Sequence, residues 1–261
     1  STNPTAAAVV NAASYYVPDT TTPANNPVPE GSIAAVFGTQ LANSTASATR
    51  GDLDFSLAGT TVSLGGIACK LFFVSPTQIN FLIPNGVGTT ANAPLLVNNN
   101  GVVSKGTFKL VDAYPGIFTL SQNGSGKAAY TCQLIKKDAN GAVLSNTYVA
   151  PPCQVSSDTQ DSYLLLFGTG LRNAAAGTVG LTVTNNGTDV VYTPDFSGEQ
   201  GFFLGLDQIN LKLTKDFAIG DSTVVVKLTN SSGSVTSNTF TITTVAAQKA
   251  EGPGGTARVQ K

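Results

Sequence analysis

Histidine, methionine and tryptophan are absent from this 261-residue chain, and charged residues make up only 11% of it. Each shortage closes off a class of function. Without histidine there is no Ser-His-Asp or Cys-His nucleophile, and no imidazole-ligated zinc, copper or non-haem iron. The charged fraction compares with about 25% in ordinary soluble proteins. Fourteen Lys and Arg face fifteen Asp and Glu, for a net charge of −1. No basic cluster stands out, so a groove that tracks phosphates has nothing to build from, and nucleic acid is not an expected partner. No apolar run approaches the roughly 20 residues that a membrane-spanning helix needs. Nor does the chain open on a charged n-region followed by an apolar one, so any secretory leader is expected to have been removed.

Asn, Thr, Ser and Gly take the place of charge, and the core must come from Val, Ile, Leu, Phe and Ala. A polar but weakly charged surface suits a secreted or cell-surface protein that packs closely against copies of itself. The 41% apolar content argues against disorder. The raw material for paired-carboxylate hydrolysis is Asp52, Asp54, Asp158, Asp161 and Glu199. All five lie in expected loops and read as solvated turn residues. A calcium ion could use Asp52, Asp54 and nearby carbonyls, but the EF-hand loop pattern is missing. Gly86–Gly88 and Gly168–Gly170 precede no helix, which argues against a phosphate cradle. The expectation is no enzyme, with no catalytic, cofactor-binding or metal-binding residue.

What the chain does have is a repeat. Phe37-Gly38-Thr39-Gln40-Leu41 returns as Phe167-Gly168-Thr169-Gly170-Leu171, 130 residues later. Phe72-Phe73 returns as Phe202-Phe203 and Gln78-Ile79-Asn80 as Gln208-Ile209-Asn210 at the same offset, and Thr107-Phe108 as Thr239-Phe240 at 132. Separated matches on one diagonal imply two copies of one domain in tandem.

Both copies read as β-structure. Ser32–Gly38, Thr60–Leu64, Leu71–Val74, Gln78–Ile83, Pro94–Val97 and Thr107–Val111 are short runs of β-branched and aromatic residues separated by Gly, Asn, Pro and Ser. Alternation places Ile79, Phe81 and Ile83 inward, and Ile209, Leu211 and Leu213 inward in the second copy. Gln78 and Asn80 then face outward, where they can bond a crossing loop backbone. One buried face per strand predicts an all-β chain of two tandem antiparallel sandwiches. The expected domains are 1–114, with a long loop at 17–30; a connecting segment 115–158; 159–245; and a tail over 246–261. Within the connecting segment, Lys127–Ile135 and Val143–Val149 form a hairpin across Asn140-Gly141, the favoured pair for a type I′ turn. This hairpin is expected to stand between the sandwiches.

Three cysteines leave at least one unpaired. Cys132 and Cys153 bracket the hairpin, and register counted from its turn sets Cys132 opposite Val149. A Cys132–Cys153 disulfide needs the chain to fold back past Pro151-Pro152. By loop entropy it would contribute roughly 3 kcal/mol. Cys69 then reads as a buried free thiol. A bridge from Cys69 to either of the others, or no bridge, stays open.

Four stretches together resemble a known family: Val9-Val10-Asn11-Ala12-Ala13-Ser14-Tyr15, Gly31-Ser32-Ile33-Ala34-Ala35-Val36-Phe37-Gly38-Thr39, Val74-Ser75-Pro76-Thr77-Gln78-Ile79-Asn80-Phe81 and Tyr114-Pro115-Gly116-Ile117-Phe118. The series is similar to uncharacterised secreted, acidobacterial-type proteins with paired immunoglobulin-like sandwiches of the IPT/TIG kind. The resemblance runs from about residue 9 to 245. It implies an extracytoplasmic tandem and supplies no catalytic residue. The Cys-flanked hairpin and the C-terminal tail depart from the family pattern.

Two functional readings follow. The first is an extracellular structural subunit of a self-assembling surface filament or pilus-like fibre, its partners being copies of itself. Strand addition would join the subunits. The donors would be Thr5–Ala13, through Val9 and Val10, and Thr256–Lys261, through Arg258 and Val259. The second is a cell-surface adhesin or carbohydrate-binding module that meets a surface glycan. The absence of Trp and the scatter of Tyr lower that second reading.

Overall fold

The computed structural model describes residues 6–15, 27–49, 53–230 and 233–248. Its secondary structure there is strand and turn, without a helix. The first half supplies β1 (Ala6–Asn11), β2 (Pro27–Pro29), β3 (Ile33–Gly38), β4 (Ala46–Ser47), β5 (Ser56–Leu57), β6 (Thr60–Leu64), β7 (Ile67–Ala68), β8 (Leu71–Val74), β9 (Gln78–Leu82), β10 (Thr90–Asn99) and β11 (Val102–Val111). One sheet runs β1-β3-β9-β8-β4 and the other β2-β11-β10-β6-β5, with β7 on β6.

The second half supplies β12 (Gly116–Ile117), β13 (Tyr130–Lys137), β14 (Val143–Val149), β15 (Cys153–Gln154), β16 (Gln160–Thr169), β17 (Val179–Asn185), β18 (Thr188–Tyr192), β19 (Phe196–Glu199), β20 (Asp207–Lys212), β21 (Gly220–Asn230), β22 (Gly233–Thr236) and β23 (Phe240–Val245). Its sheets are β14-β13-β16-β20-β19, with β12 on β16, and β15-β23-β21-β17-β18, with β22 on β21. The molecule is therefore all-β: two tandem immunoglobulin-like sandwiches. Pairing between these strands is antiparallel except where β2 lies parallel to β11 and β15 parallel to β23.

Period-2 alternation explains the layering. In β9, Ile79 and Phe81 are buried between half-exposed neighbours, and in β20 Ile209 and Leu211 repeat the pattern. Ile83 and Leu213 continue it just past each strand. The first core gathers Val36, Leu64, Ile79, Phe81, Leu95 and Phe108. The second gathers Leu164, Leu166, Leu181, Ile209, Val224 and Phe240. Each core closes on itself, so each half has the apolar interior of an independent domain.

Three expectations change. Residues 115–158 do not stand between the sandwiches: β13 pairs with β16 from Tyr130↔Leu166 to Lys136↔Gln160, so the hairpin belongs to the second sandwich's sheet. The backbone of β13 finds its ladder partners on β16 as well as β14, which a hairpin read by its turn alone does not reveal. The hairpin turn is not type I′, since Gly141 takes positive φ while Asn140 does not. Asp138 Oδ1 accepts the Asn140 and Ala142 amides instead, and a bulge at Lys136/Lys137 restores the register. Cys132 still sits opposite Val149.

The third change concerns the repeat. Phe72-Phe73 lies within β8, whereas Phe202-Phe203 lies in the turn between β19 and β20. The strand equivalent of Phe73, which pairs with Asn80, is Phe196, which pairs with Asn210. A longer turn in the second copy breaks that part of the diagonal. Of the loop expected over 17–30, residues 16–26 lie outside the described residues and Pro27–Pro29 form β2.

Candidate functional site

Two features have no counterpart in a lone sandwich: the joint between the halves and the strand β14. The joint begins at Asn11, the last residue of β1, which is buried. Its Nδ2 donates to the Tyr114 and Thr169 carbonyls, both at 3.3 Å. Its Oδ1 accepts the Ala13 amide at 2.9 Å and the Ser14 amide at 3.3 Å. One amide side chain thus turns the backbone locally with its oxygen and reaches the second sandwich with its nitrogen. Thr169 answers from the other side. Its hydroxyl accepts the Ile33 amide at 2.9 Å and donates to the Gly205 carbonyl at 2.6 Å.

Beside Thr169 lies the only ion pair with a fully buried partner among the described residues. Arg172 Nε is 2.9 Å from Asp207 Oδ1, and Asp207 Oδ2 accepts the Leu171 amide at 2.7 Å and the Arg172 amide at 3.2 Å. Burial pushes the Asp207 carboxyl above its ordinary range, against the pull of the Leu171 amide and Arg172. Arg172 also reaches Glu199 at 3.2 Å and the Leu206 carbonyl at 3.1 Å. The network fixes the turn that receives the first sandwich.

Close approach dictates glycine at Gly170 and Gly205, among other positions of the joint. Gly170 has φ +86°, and a Cβ on it would run into the Tyr114 carbonyl. Gly205 has φ +76°, and its Cβ would stand 2.5 Å from Ile33 Cγ1 and 2.9 Å from Leu82 Cδ1. The counterpart of Gly170 in the first copy is Gln40, at φ +56° and exposed. The same αL turn carries a side chain where no domain abuts it and none where one does.

The second feature is the edge strand. β14 adds a strand beyond β13, at the position where the first sandwich already ends with β1. The sheet opposite does not cover it: Leu144 is 68% and Tyr148 63% exposed, with Val143 and Val149 also open to solvent. Cys132 and Cys153 are bonded, with Cα atoms 5.3 Å apart. Cys132 lies in β13 and Cys153 in β15, so the bridge joins the two sheets and closes the base of the hairpin. Cys69 is a free, buried thiol whose burial pushes it up to about 12.

Other expected site residues fall elsewhere. Val9 and Val10 are buried in β1, which pairs along β3 of its own chain from Ala8↔Phe37 to Asn11↔Ala34. Their side chains and the backbone edge toward β3 are used inside the fold, so they do not form a free donor strand. Arg258 and Val259 lie outside the described residues, as does Asp52. Asp54 is exposed. No group of three His, Cys, Asp or Glu that could hold a metal occurs among the described residues.

Asp161 and Glu199 stand on strands rather than in loops. Asp161 is paired with Lys137 and, at 2.9 Å, with Lys212, which hold its carboxyl below its ordinary range. Asp158 pairs with Lys215 at the surface. Gln78 does not bond a crossing loop: its Nε2 donates to Asn80 Oδ1 at 2.8 Å, and Gln208 does the same to Asn210 at 2.6 Å. Residues two apart on a strand share a face, so the amides satisfy each other. The Arg172–Asp207 pair escaped sequence reasoning. Its signal was there, since the repeat breaks at both positions, with Ala42 and Thr77 in the first copy.

The IPT/TIG domain model matches residues 18–110, most of the first sandwich. No curated protein matches the chain. Among solved structures, the tandem Ig repeats of Dlar are similar at 9% identity, over 94% of this chain and 99% of that one, with a TM-score of 0.22. A three-Ig fragment of titin is similar at 10% identity, over 85% and 62%, TM-score 0.19. The first two Ig domains of Dpr2, in complex with the first three of DIP-Theta, give 12% identity over 85% and 97%, TM-score 0.20.

Proposed function

We propose that this chain is a non-enzymatic extracellular structural protein of the acidobacterial secreted type, whose copies assemble into a surface filament or pilus-like fibre. The observation that carries the reading is the uncharged, solvent-exposed edge of β14, Val-Leu-Ser-Asn-Thr-Tyr-Val, added to an otherwise complete sandwich. Unpaired edge N–H and C=O groups are a template for another chain. Folds that stay monomeric blunt such edges with charge, proline or shortness, and β14 has none of these within it. The disulfide beneath the hairpin fits an oxidising, extracellular setting. The C-terminal segment Thr256–Lys261, with Arg258 and Val259, is the proposed strand donor for a head-to-tail contact.

Electron microscopy of the native protein tests this. Regular fibres, shortened or lost on truncation after residue 248, are the expected result. Discrete monomers at high concentration overturn it. The adhesin reading has its own observation: a cavity of about 290 Å³ at the seam, lined by Tyr15 and Phe72 beside the amides of Asn80 and Gln122. Aromatic faces next to hydrogen-bonding amides suit a sugar ring, and a glycan array decides between specific capture and none.

A further inference from the structure

The self-assembly reading leaves open which surface meets which. We infer that two copies of this chain pair through the free edge of β14, antiparallel, about a two-fold axis at Asn146; the inference rests on that reading. The strand is a chemical palindrome. Folded about Asn146, Val143 faces Val149, Leu144 faces Tyr148, Ser145 faces Thr147, and Asn146 faces itself. Directly opposed residues of an antiparallel pair share a face with Cβ atoms about 4.5–5.5 Å apart. Apolar therefore meets apolar and hydroxyl meets hydroxyl on both faces.

Symmetry makes charge decisive at such an axis, because any charge near it meets its own copy. β14 carries none. Asn146 and Tyr148 are already held on one face by Gln133 Nε2, at 3.0 and 3.4 Å, so the central side chains are ordered before pairing. The bulge leaves Leu144 without a partner on β13 and keeps Ser145–Val149 in regular register with it.

The other free edges among the described residues do not compete. β4, β5 and β15 have two residues, β2 three and β22 four. β18 carries Asp189, β19 ends on Glu199, the part of β11 beyond its three pairs with β2 carries Lys105, and β1 lies against β2 and β11. An isologous contact closes at two. It makes the dimer a building unit, and a fibre then needs the separate contact assigned to the C-terminal segment.

Sedimentation analysis of the full chain provides the test, with four variants. The wild type is expected to be dimeric, and Asn146→Lys, which sets two cations face to face, to raise the dimer dissociation constant at least about tenfold. Asn146→Cys is expected to link to its own copy under mild oxidation. Leu144→Cys alone should not, yet should link when mixed with Tyr148→Cys. Unchanged dimerisation by Asn146→Lys, or no link through Asn146→Cys, overturns the β14 axis while leaving self-assembly standing. Dimers linked through Asn146 that never form fibres sustain the axis and overturn the filament. Monomers at all concentrations overturn both. Should Asn146→Lys fold poorly, the cysteine pattern still decides.

Discussion

Asn11→Ala should uncouple the two sandwiches. The Asn11 side chain makes four bonds, two within the first sandwich and two across to Tyr114 and Thr169. Net contributions near 1 kcal/mol apply to the short bond, and less to the three at 3.3 Å. Truncation also takes partners from groups that are closed off from water, at about 1–3 kcal/mol for each one left unsatisfied. Together these give a loss of about 3 to 5 kcal/mol, about half of it belonging to the joint. The wild type is expected to unfold in one coupled transition. The variant is expected to show two calorimetric transitions, with a wider spread of interdomain distances by small-angle scattering. Asn11→Asp keeps the oxygen that accepts the Ala13 amide but turns a carboxylate oxygen toward two carbonyls. It should be at least as damaging wherever the pH is high enough to ionise the group, which burial against two carbonyls opposes. If Asn11→Ala costs under about 1 kcal/mol and both halves still melt together, the joint does not depend on this side chain and the argument fails.

Removing the disulfide as Cys132→Ala/Cys153→Ala opens a loop with sequence separation 21. It should cost about 3 kcal/mol and lower the Tm of the single coupled transition by roughly 10 °C by calorimetry. Gly170→Gln imports the first copy's residue and should separate the halves, since αL strain of about 1–2 kcal/mol adds to a clash with the Tyr114 carbonyl. Its mirror, Gln40→Gly, should be neutral or stabilising by up to about 1 kcal/mol. Asp161 has a folded pKa below its unfolded one, so its stabilisation is full above the unfolded value, near pH 4, and is lost as pH falls through the folded value. Asp161→Asn should therefore cost about 1 kcal/mol or less at pH 7, and the gap from wild type should close in denaturant titrations as the pH falls through the folded value. Cys69, pushed up to about 12, should stay inert to a thiol reagent at pH 8 until urea unfolds the chain, then react once per chain.

Strand positions were legible because alternation is a local property. Ile79, Phe81 and Ile83, with Ile209, Leu211 and Leu213, are buried as their spacing predicts. Sheet membership was not legible from the same signal. The β13–β14 hairpin announces its own turn, but its pairing with β16 is a non-local contact with no local trace. The runs Pro94–Val97 and Thr107–Val111 likewise fell short of the strands, since β10 and β11 pair from Ala93↔Phe108 to Asn99↔Val102. β10 meets β6 only from Leu95 onward, so Pro94 needs no second ladder partner. The joint lay in plain sight as Val-Val-Asn-Ala-Ala-Ser-Tyr, whose work is done by one amide across 158 residues. Comparing the two copies for similarity located the framework. Comparing them for difference would have located Gly170, Arg172 and Asp207.

That difference also decides how the tandem can grow. The receiving end of the second sandwich is built from Gly170, Arg172 and Asp207, where the first has Gln40, Ala42 and Thr77. The first sandwich offers Gly31, Ile33 and Leu82 to that end, with Ile33 and Leu82 against Gly205 and Gly31 against Arg172. At the corresponding positions the second copy has Asp161, Tyr163 and Lys212. There Lys212 pairs with Asp161 at 2.9 Å and lies over the Tyr163 ring at 5.9 Å. An apolar docking face has become a charged one that satisfies itself. Neither outer end can therefore repeat the joint, as docking there would bury ion pairs against a surface with no partner for them. End-to-end stacking by the existing contact is closed off in both directions. Assembly is left to surfaces outside the joint, and β14 is the described edge without charge, cover or shortness to protect it.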